Sequence, residues 1–575
     1  MFMAFWSADP RAAGGMRTRV DALVESTGAR RVWRGNAMLA VWAPSILEGG
    51  SDVDLASSGR WASHPRARCV ADGALRLDAG PLPQYPLYYT SDGRGELLVA
   101  CSRLASLLAL LPEVKLSTRR LVCLLSAPTD IDSDATAYQG VKRLRPCESV
   151  VADRNGVHVE RVFPHIAGRY RRGRPQDLAA EFRHRLDAAV DTAVGASRRV
   201  AVLVSGGLDS SGVLSLAAAR FSSDRALTAI SVQYAAPGDD RPYFAEVVRA
   251  LKVHAELRPA RDAGLWFRQS LCADAQPVVL GTTCLDMLQC ATASAWSADV
   301  TLSGVSGDRV SGGPLPYAQL ARRGHILEAV RGALRVRVPW SMSASSRLRE
   351  FVVGPLLPRW MLPSVWWPPR RRRCAPPEWM TRRSAEIFLE VEEASANRSR
   401  VLPDSPDAWM KDLCSHHMLP DMADLGGQVA AVTGCAPVDV FLNHELVRFV
   451  FELDPQILSY GDEYRGLYRL AMRGILPEKV RTRQSKARYE PAVAAAAAAS
   501  NCMDELRGLA TFEELGVRGL VEPAALRASF NEWLAVVALG ERDYPLGADA
   551  RFCQIWDLLT VEAFLREHGR GRQLA

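Results

Sequence analysis

The sequence predicts an α/β protein: a doubly wound parallel-sheet domain preceded by a region of short antiparallel strands. Three stretches carry that prediction. Val200 to Ala219 (VAVLVSGGLDSSGVLSLAAA) passes from an apolar, β-branched run through Ser205, Gly206 and Gly207 into an apolar-periodic segment that begins near Ser211, which is strand, glycine turn, helix. Leu227 to Tyr234 is a second β-rich run, followed by a predicted helix from Pro242 to Leu251. Asp299 to Gly313 (DVTLSGVSGDRVSGG) is a third buried strand, ending at Ser303-Gly304 before another glycine-rich turn. Repeated β-α units of this kind build a parallel sheet with helices on both faces.

Composition bounds the rest. At 575 residues the chain exceeds a single core, and two or three domains are expected. Hydrophobic content of 48% with 23% charged residues describes a globular protein, and a net charge of +7 permits an anionic partner without requiring one. The 12 cysteines contain no C-x-x-C pair, so neither a zinc site nor a disulfide framework is indicated, and reduced thiols fit a cytoplasmic protein. No apolar run reaches the ~20 residues of a spanning helix, and the start, MFMAFWSADPRAAGGMRTRV, does not read as a signal peptide.

Taken in order, Arg31 to Val41 and Ala74 to Leu77 alternate like half-buried strands, and the segment from Pro86 to Cys101 reads as a hairpin turning at Asp92-Gly93. Leu104 to Leu111 predicts a helix stopped by Pro112. The basic stretch from Pro164 to Gln176 reads as a linker, and Asp177 as the N-cap of a helix from Leu178 to about Val194. Val336 to Trp379, centred on WWPPRRRRCAPPEW, predicts a solvated loop; Trp366, Trp367 and Arg370 to Arg373 could alternatively grip a peptide or a nucleic acid. Ser384 to Leu470 is helical in period, interrupted at Pro403, Pro406 and Pro420. His416 and His417 are adjacent, so a helix would point them about 100° apart, and they are read as structural. The alanine tract Ala492 to Ala499 reads as helix.

The loop after the first strand has the chemistry of a phosphate site. Gly206 and Gly207 let backbone approach a ligand, and free N–H groups at the next helix's start suit phosphate oxygens. Ser205, Ser210 and Ser211 add hydroxyls, and Asp209 is a hard oxygen ligand for Mg²⁺. The loop has no lysine, so it is not the G-x-x-x-x-G-K-[ST] loop, and a cation must come from elsewhere.

These residues resemble the SGG-x-DSS loop of the ATP pyrophosphatase class, and the wider chain resembles asparagine synthetases from about Arg31 to Tyr489. Leu77 to Leu108 is similar to the strand, strand, helix pattern of their glutamine amidotransferase domain, and GVKRLRPCE to that domain's closing turn, with Cys147 in place of a glycine. The resemblance implies an N-terminal Ntn-hydrolase-like αββα domain over residues 1–165 and an ATP-dependent amide synthetase domain over 177–575. It implies ATP and Mg²⁺ as cofactors. Nucleotide contacts fall on Val204, Ser205, Gly206, Gly207, Asp209, Ser210, Ser211, Val232, Ser303 and Gly304, and metal contacts on Asp209 and Asp308. Asp308 matches the family's first acid; the second is replaced by Arg309, which could contact departing pyrophosphate. Arg465 to Tyr489 resembles the family's L-R-x-A to R-x-K run, which assigns transition-state charge stabilisation to Lys486. Near GCAPVDVFLNHELV, Pro437 and Asp439 fit the family pattern, but its leading glutamate falls on Thr433, leaving the base for the amine unassigned.

In that family the glutaminase nucleophile is a cysteine at position two. Here Phe2 stands there and no cysteine precedes Cys69, so the domain is expected not to hydrolyse glutamine. Relatives lacking that cysteine include β-lactam synthetases and lasso peptide cyclases. The reading preferred is the cyclase: an Asp or Glu side-chain carboxylate is adenylated, then captured by the peptide's own N-terminal amine. Expected partners are a precursor or core peptide, a leader peptidase and a leader-recognition protein, with no membrane and no nucleic-acid partner. The alternatives are a β-lactam or asparagine synthetase-like small-molecule ligase, and an ATP-dependent RNA-modifying enzyme.

Overall fold

The structure, a computed structural model, describes residues 2–8, 18–22, 30–34, 37–41, 66–69, 74–126, 133–166, 170–221, 226–234, 240–278, 280–312, 315–338, 342–357, 376–397, 405–485, 488–499, 502–539, 549–570 and 574. The N-terminal strands are β1 (Phe2–Ser7), β2 (Arg30–Arg34), β3 (Ala37–Val41), β4 (Arg66–Cys69), β5 (Leu75–Asp78), β6 (Tyr88–Ser91), β7 (Leu97–Cys101), β8 (Lys142–Arg143), β9 (Glu148–Asp153) and β10 (Gly156–Arg161). They form two antiparallel sheets, ordered β2-β3-β1-β7-β6-β8 and β10-β9-β5-β4. Side chains alternate across a strand, so β1 serves two cores. Ala4 and Trp6 meet Leu75, Leu77, Val150 and Ala152 of the second sheet. Met3 and Phe5 join the core of helices α1 (Leu104–Leu110) and α2 (Thr118–Ser126). The run expected as one strand from Arg31 is two, β2 and β3, paired antiparallel with Arg34 opposite Ala37. The Gly35-Asn36 pair between them is a turn signal that outweighs alternation across it.

Cys147 has φ +67, a left-handed conformation that glycine adopts without steric cost. Its backbone is held by Gly80 O (2.7 Å) and by Val162 N–H (2.9 Å). Replacing it with glycine trades about 1 kcal/mol of backbone relief for a similar loss of thiol burial, so Cys147→Gly should lie within about 1 kcal/mol of the parent. The β-branched Cys147→Val should cost about 2 kcal/mol or more. Thermal midpoints of the three proteins check the order.

The second half contains the parallel sheet. Its strands are β11 (Arg199–Leu203), β12 (Ala226–Gln233), β13 (His254–Pro259), β16 (Val300–Ser303) and β17 (Pro437–Asp439), with a separate hairpin of β14 (Cys272–Ala273) and β15 (Gln276–Pro277). The order is β13-β12-β11-β16-β17, all parallel. The chain runs outward from β11 to one edge, then returns to build the other, so the winding reverses between β11 and β16. A crevice opens at the carboxyl ends of the strands at such a point. Helices α3 (Pro175–Val194), α4 (Leu208–Ala218) and α5 (Arg241–Leu251) cover the face carrying Val200, Val202 and Val204. Helices α6 (Thr283–Ala295) and α8 (Met418–Thr433) cover the face carrying Ala201 and Ile230, and α7 (Gly307–Gly312) starts beyond β16.

Two helices start earlier than their apolar periodicity suggests. The α4 helix opens at Leu208 with Gly207 as N-cap, which puts Asp209, Ser210 and Ser211 in its first turn. The α3 helix opens at Pro175, whose fixed φ suits the first helical position, while Asp177 sits in the first turn instead of capping.

The ends of the chain share a core. Leu104, Leu121 and Leu125 of the N-terminal region pack in one cluster with Val493 of α9 (Glu490–Ala497), with Trp533, and with Trp556 and Leu559 of α10 (Asp549–His568). The expectation of a solvated loop from Val336 is corrected in its first part. Val336 and Val352 are buried with Tyr317, Leu320, Ala329 and Ala333 in a small helical cluster, because the prolines that argued for a loop begin farther along, at Pro368. Trp366, Trp367 and Arg370 to Arg373 lie outside the described residues. Among the described residues no helix is long and apolar enough to cross a membrane.

Candidate active site

The site begins where β11 ends. Val204, fully buried, extends the ladder by one bond, its N–H to Ile230 O at 2.8 Å, and the chain then turns. Gly206 makes the turn at φ +93, and a Cβ there would lie 2.6 Å from Phe244 N and 2.8 Å from Asp240 O, both backbone atoms that cannot move cheaply. Only glycine fits. Ser205 Oγ accepts from Gly207 N–H (3.2 Å), and Ser210 Oγ accepts from Ser205 N–H (3.2 Å), so these hydroxyls brace the loop. Ser211 is fully buried, its N–H closing the first turn on Gly207 O.

Across the reversal point, the loop after β16 comes against the same turn. A Cβ on Gly304 would stand 3.2 Å from Asp209 C and Ser210 N, and one on Gly307 would collide with the Asp209 side chain. The glycines at both positions let the two loops meet. Ser303 ends β16, buried. The loop is pinned by Asp439 at the end of β17, whose Oδ2 accepts from Ser306 N–H (2.8 Å) and whose Oδ1 accepts from Phe441 N–H (3.1 Å). Burial pushes the Asp439 carboxyl up to about 6, against the pull of those donors. Gln84 reaches in from the N-terminal region, donating to Asp439 O (3.0 Å) and accepting from its N–H (2.8 Å).

The cation that the loop lacks is Arg465, which sequence reasoning did not single out. It sits at φ +63 just before a short helix, donates to both carboxylate oxygens of Asp209, one at 2.9 Å, and donates through Nε to Ser311 Oγ at 2.7 Å. Its guanidinium lies 5.0 Å from the Tyr468 ring centroid. Such a fork matches carboxylate and phosphate geometry alike. Asp308 is in the first turn of α7, its carbonyl receiving Tyr464 O–H at 3.4 Å, and the fields of Arg465, Asp308, Asp209 and Arg309 all reach Tyr464. The Arg309 guanidinium contacts the Met418 sulfur at the start of α8. Val232 lies partly buried near the end of β12, opposite Arg258.

Lys486 lies outside the described residues, but its flanks are anchored at the loop. Arg469 donates to the carbonyls of Arg481 and Arg483, the latter at 2.8 Å. Arg483 is ion-paired with buried Asp240 and lies 4.0 Å from the Tyr243 ring centroid. Tyr234 O–H donates to Arg488 O (2.6 Å), and the Tyr489 side chain is hydrogen-bonded to Ser205. Thr433, where the resemblance leads one to look for a glutamate, spends its hydroxyl on Val429 O (2.8 Å) and on Cys435 N–H (3.2 Å) at the end of α8. His416 and His417 stack at 4.5 Å, and His416 Nδ1 accepts from Met418 N–H, a structural arrangement.

The donor set fits a nucleotide's phosphates: a glycine turn, the N–H groups opening α4, and Arg465 beside them. It fits Mg²⁺ at Asp209 provided that carboxylate shares an oxygen with Arg465.

A glycine turn at the reversal point of a five-stranded parallel sheet is the setting in which α/β enzymes bind nucleotides. The asparagine synthase family model matches residues 181–566, and the chain belongs to that family. It is therefore an ATP-dependent, amide-bond-forming ligase. No curated protein matches the chain.

Proposed function

We propose that this ligase closes a macrolactam in a ribosomal peptide, as a lasso peptide cyclase does. An Asp or Glu side-chain carboxylate is activated as its adenylate and captured by the N-terminal amine of the same peptide. When bound, ATP with Mg²⁺ would supply the α-phosphorus that the carboxylate attacks. The chain's own residues hold the phosphates at Ser205 to Ser211, meet developing charge with Arg465 and Lys486, and keep the two loops in register through Asp439. Holding both reacting ends in one molecule makes the second step effectively unimolecular.

The observation that carries the proposal is an intact activating loop beside an N-terminal region that shows no accessible thiol among the residues whose burial is described. The β1 strand, FMAFWS, contains no cysteine, and Cys101, Cys123 and Cys147 are buried. Residues 1–165 are proposed as the inactive Ntn-hydrolase-like domain and 177–575 as the synthetase. The amine then has to arrive with the substrate, and a leader peptidase with a leader-recognition protein would expose it. An asparagine synthetase-like ligase acting on small molecules fits the family equally well.

Incubation with ATP, Mg²⁺ and synthetic core peptides bearing a free amine and an internal acid should release AMP and yield a product lighter by one water in the mass spectrum. AMP release with aspartate and ammonia but with no peptide would replace the cyclase reading by the small-molecule one. AMP release only with RNA would overturn both.

A further inference from the structure

We propose that Asp286 is the base that takes the proton from the attacking amine. The assignment rests on the amide-ligase reading above and supplies the group that Thr433 cannot. Asp286 is in the first turn of α6, the helix that packs against β12 and α9 on the second face of the sheet. Its side chain is half-buried. Its carboxylate has no hydrogen-bond or ion-pair partner among the described residues. The titratable groups facing it are Cys284 and Cys290 of its own helix, with Cys435 bonded to Cys290, and Tyr489 just before α9. Tyr489 is 38% exposed, feels the charge of Asp286 and hydrogen-bonds Ser205, which ties Asp286 to the activating loop.

Three carboxylates at the loop are already engaged: Asp209 with Arg465, Asp240 with Arg483, and Asp439 with Ser306 and Phe441. Burial pushes the Asp286 carboxyl up to about 7, where a general base works best near neutral pH.

The step balances as follows. The amine enters as an ammonium, and Asp286 accepts one N–H proton. The freed lone pair forms the C–N bond to the activated acyl carbon. The C–O bond to AMP breaks with its electron pair left on the departing phosphate, which takes the second nitrogen proton. Asp286 then returns its proton to solvent.

The test uses the full chain, a synthetic core peptide, and hydroxylamine as a trap that is already neutral near pH 7 and needs no base. Asp286→Asn should still form the peptide hydroxamate and release AMP, while ring closure falls by about 10²–10⁴-fold. In the parent, ring closure should rise with pH through about 7, as the carboxylate ionises. That limb should vanish in Asp286→Asn and return in Asp286→Glu. Ring closure in Asp286→Asn within about twofold of the parent, on an unchanged pH profile, would overturn the assignment alone. Loss of hydroxamate together with ring closure would also overturn it, marking a structural role. A parent that releases no AMP with any peptide would withdraw the cyclase reading and this assignment with it.

Discussion

Asp209→Ala is expected to lower turnover by about 10²–10³-fold or more, and to cost the fold about 3–5 kcal/mol as well. The two losses have different origins. The first removes the carboxylate at the start of α4 that orders Arg465 and that we propose holds Mg²⁺. The second arises because Arg465 is only 7% exposed and would keep a buried charge with no carboxylate beside it. The Ser311 hydroxyl would remain as its acceptor, which is too little for a guanidinium. The double variant Asp209→Asn with Arg465→Met separates the effects: it should recover most of the thermal midpoint lost by Asp209→Ala and none of the turnover. Recovery of turnover would mean that the ion pair serves packing alone. A double variant no more stable than Asp209→Ala would show that the buried charge is not the source of the loss.

The second large effect is expected at the seam between the N-terminal region and the synthetase half. Arg143 is 2% exposed, donates to Asp421 Oδ1 at 2.6 Å and to Asp424 Oδ2 at 2.5 Å, and sends Nε to Ser133 O. Asp424 also receives Tyr88 O–H (2.9 Å), which in turn accepts from Gln276 (2.8 Å). Arg143→Met would leave two carboxylates facing each other inside the protein, with Arg120 still 3.8 Å from Asp421. The expected cost is about 3–5 kcal/mol.

The sign of its pH dependence follows. In the parent, burial holds the Asp424 carboxyl up despite Arg143, whereas the two arginines hold Asp421 down against burial. Without Arg143 both carboxyls sit above their unfolded values, so the folded state binds protons more tightly. Stability is then lost as pH rises and regained on acidification. Thermal midpoints at about pH 5 and about pH 8 should differ more in Arg143→Met than in the parent, with the variant the more impaired at the higher pH. Adding Asp421→Asn should remove most of that difference. An unchanged midpoint would mean that the seam is not held by this network.

How much of this could be read beforehand follows from how far apart the interacting residues are. The turn at Ser205 to Gly207 was legible because a β-branched run, two glycines and an apolar-periodic segment are adjacent in the chain, and each acts locally. The start of α4 was misplaced because Gly207 caps it without a side chain to announce the cap. Cys147 was visible as an oddity, and its left-handed backbone explains why a glycine suits that turn. Arg465 escaped notice because its partner Asp209 is 256 residues away. One arginine among many carries no mark of such a pairing, and the same holds for Gln84 and Asp439, separated by 355 residues.

By itself the sequence determined the parallel sheet, the glycine turn at its centre and the acidic and hydroxyl groups around it, since short-range periodicity and backbone stereochemistry decide these. Only the tertiary structure decided which charges neutralise one another, leaving Asp286 without a partner among the described residues while Asp209, Asp240 and Asp439 are engaged. It also decided that α1 and α2 near the start share a core with α9 and α10 near the end. Burial is what makes an unpaired charge or an uncovered apolar face costly, and burial is set by contacts between residues hundreds of positions apart.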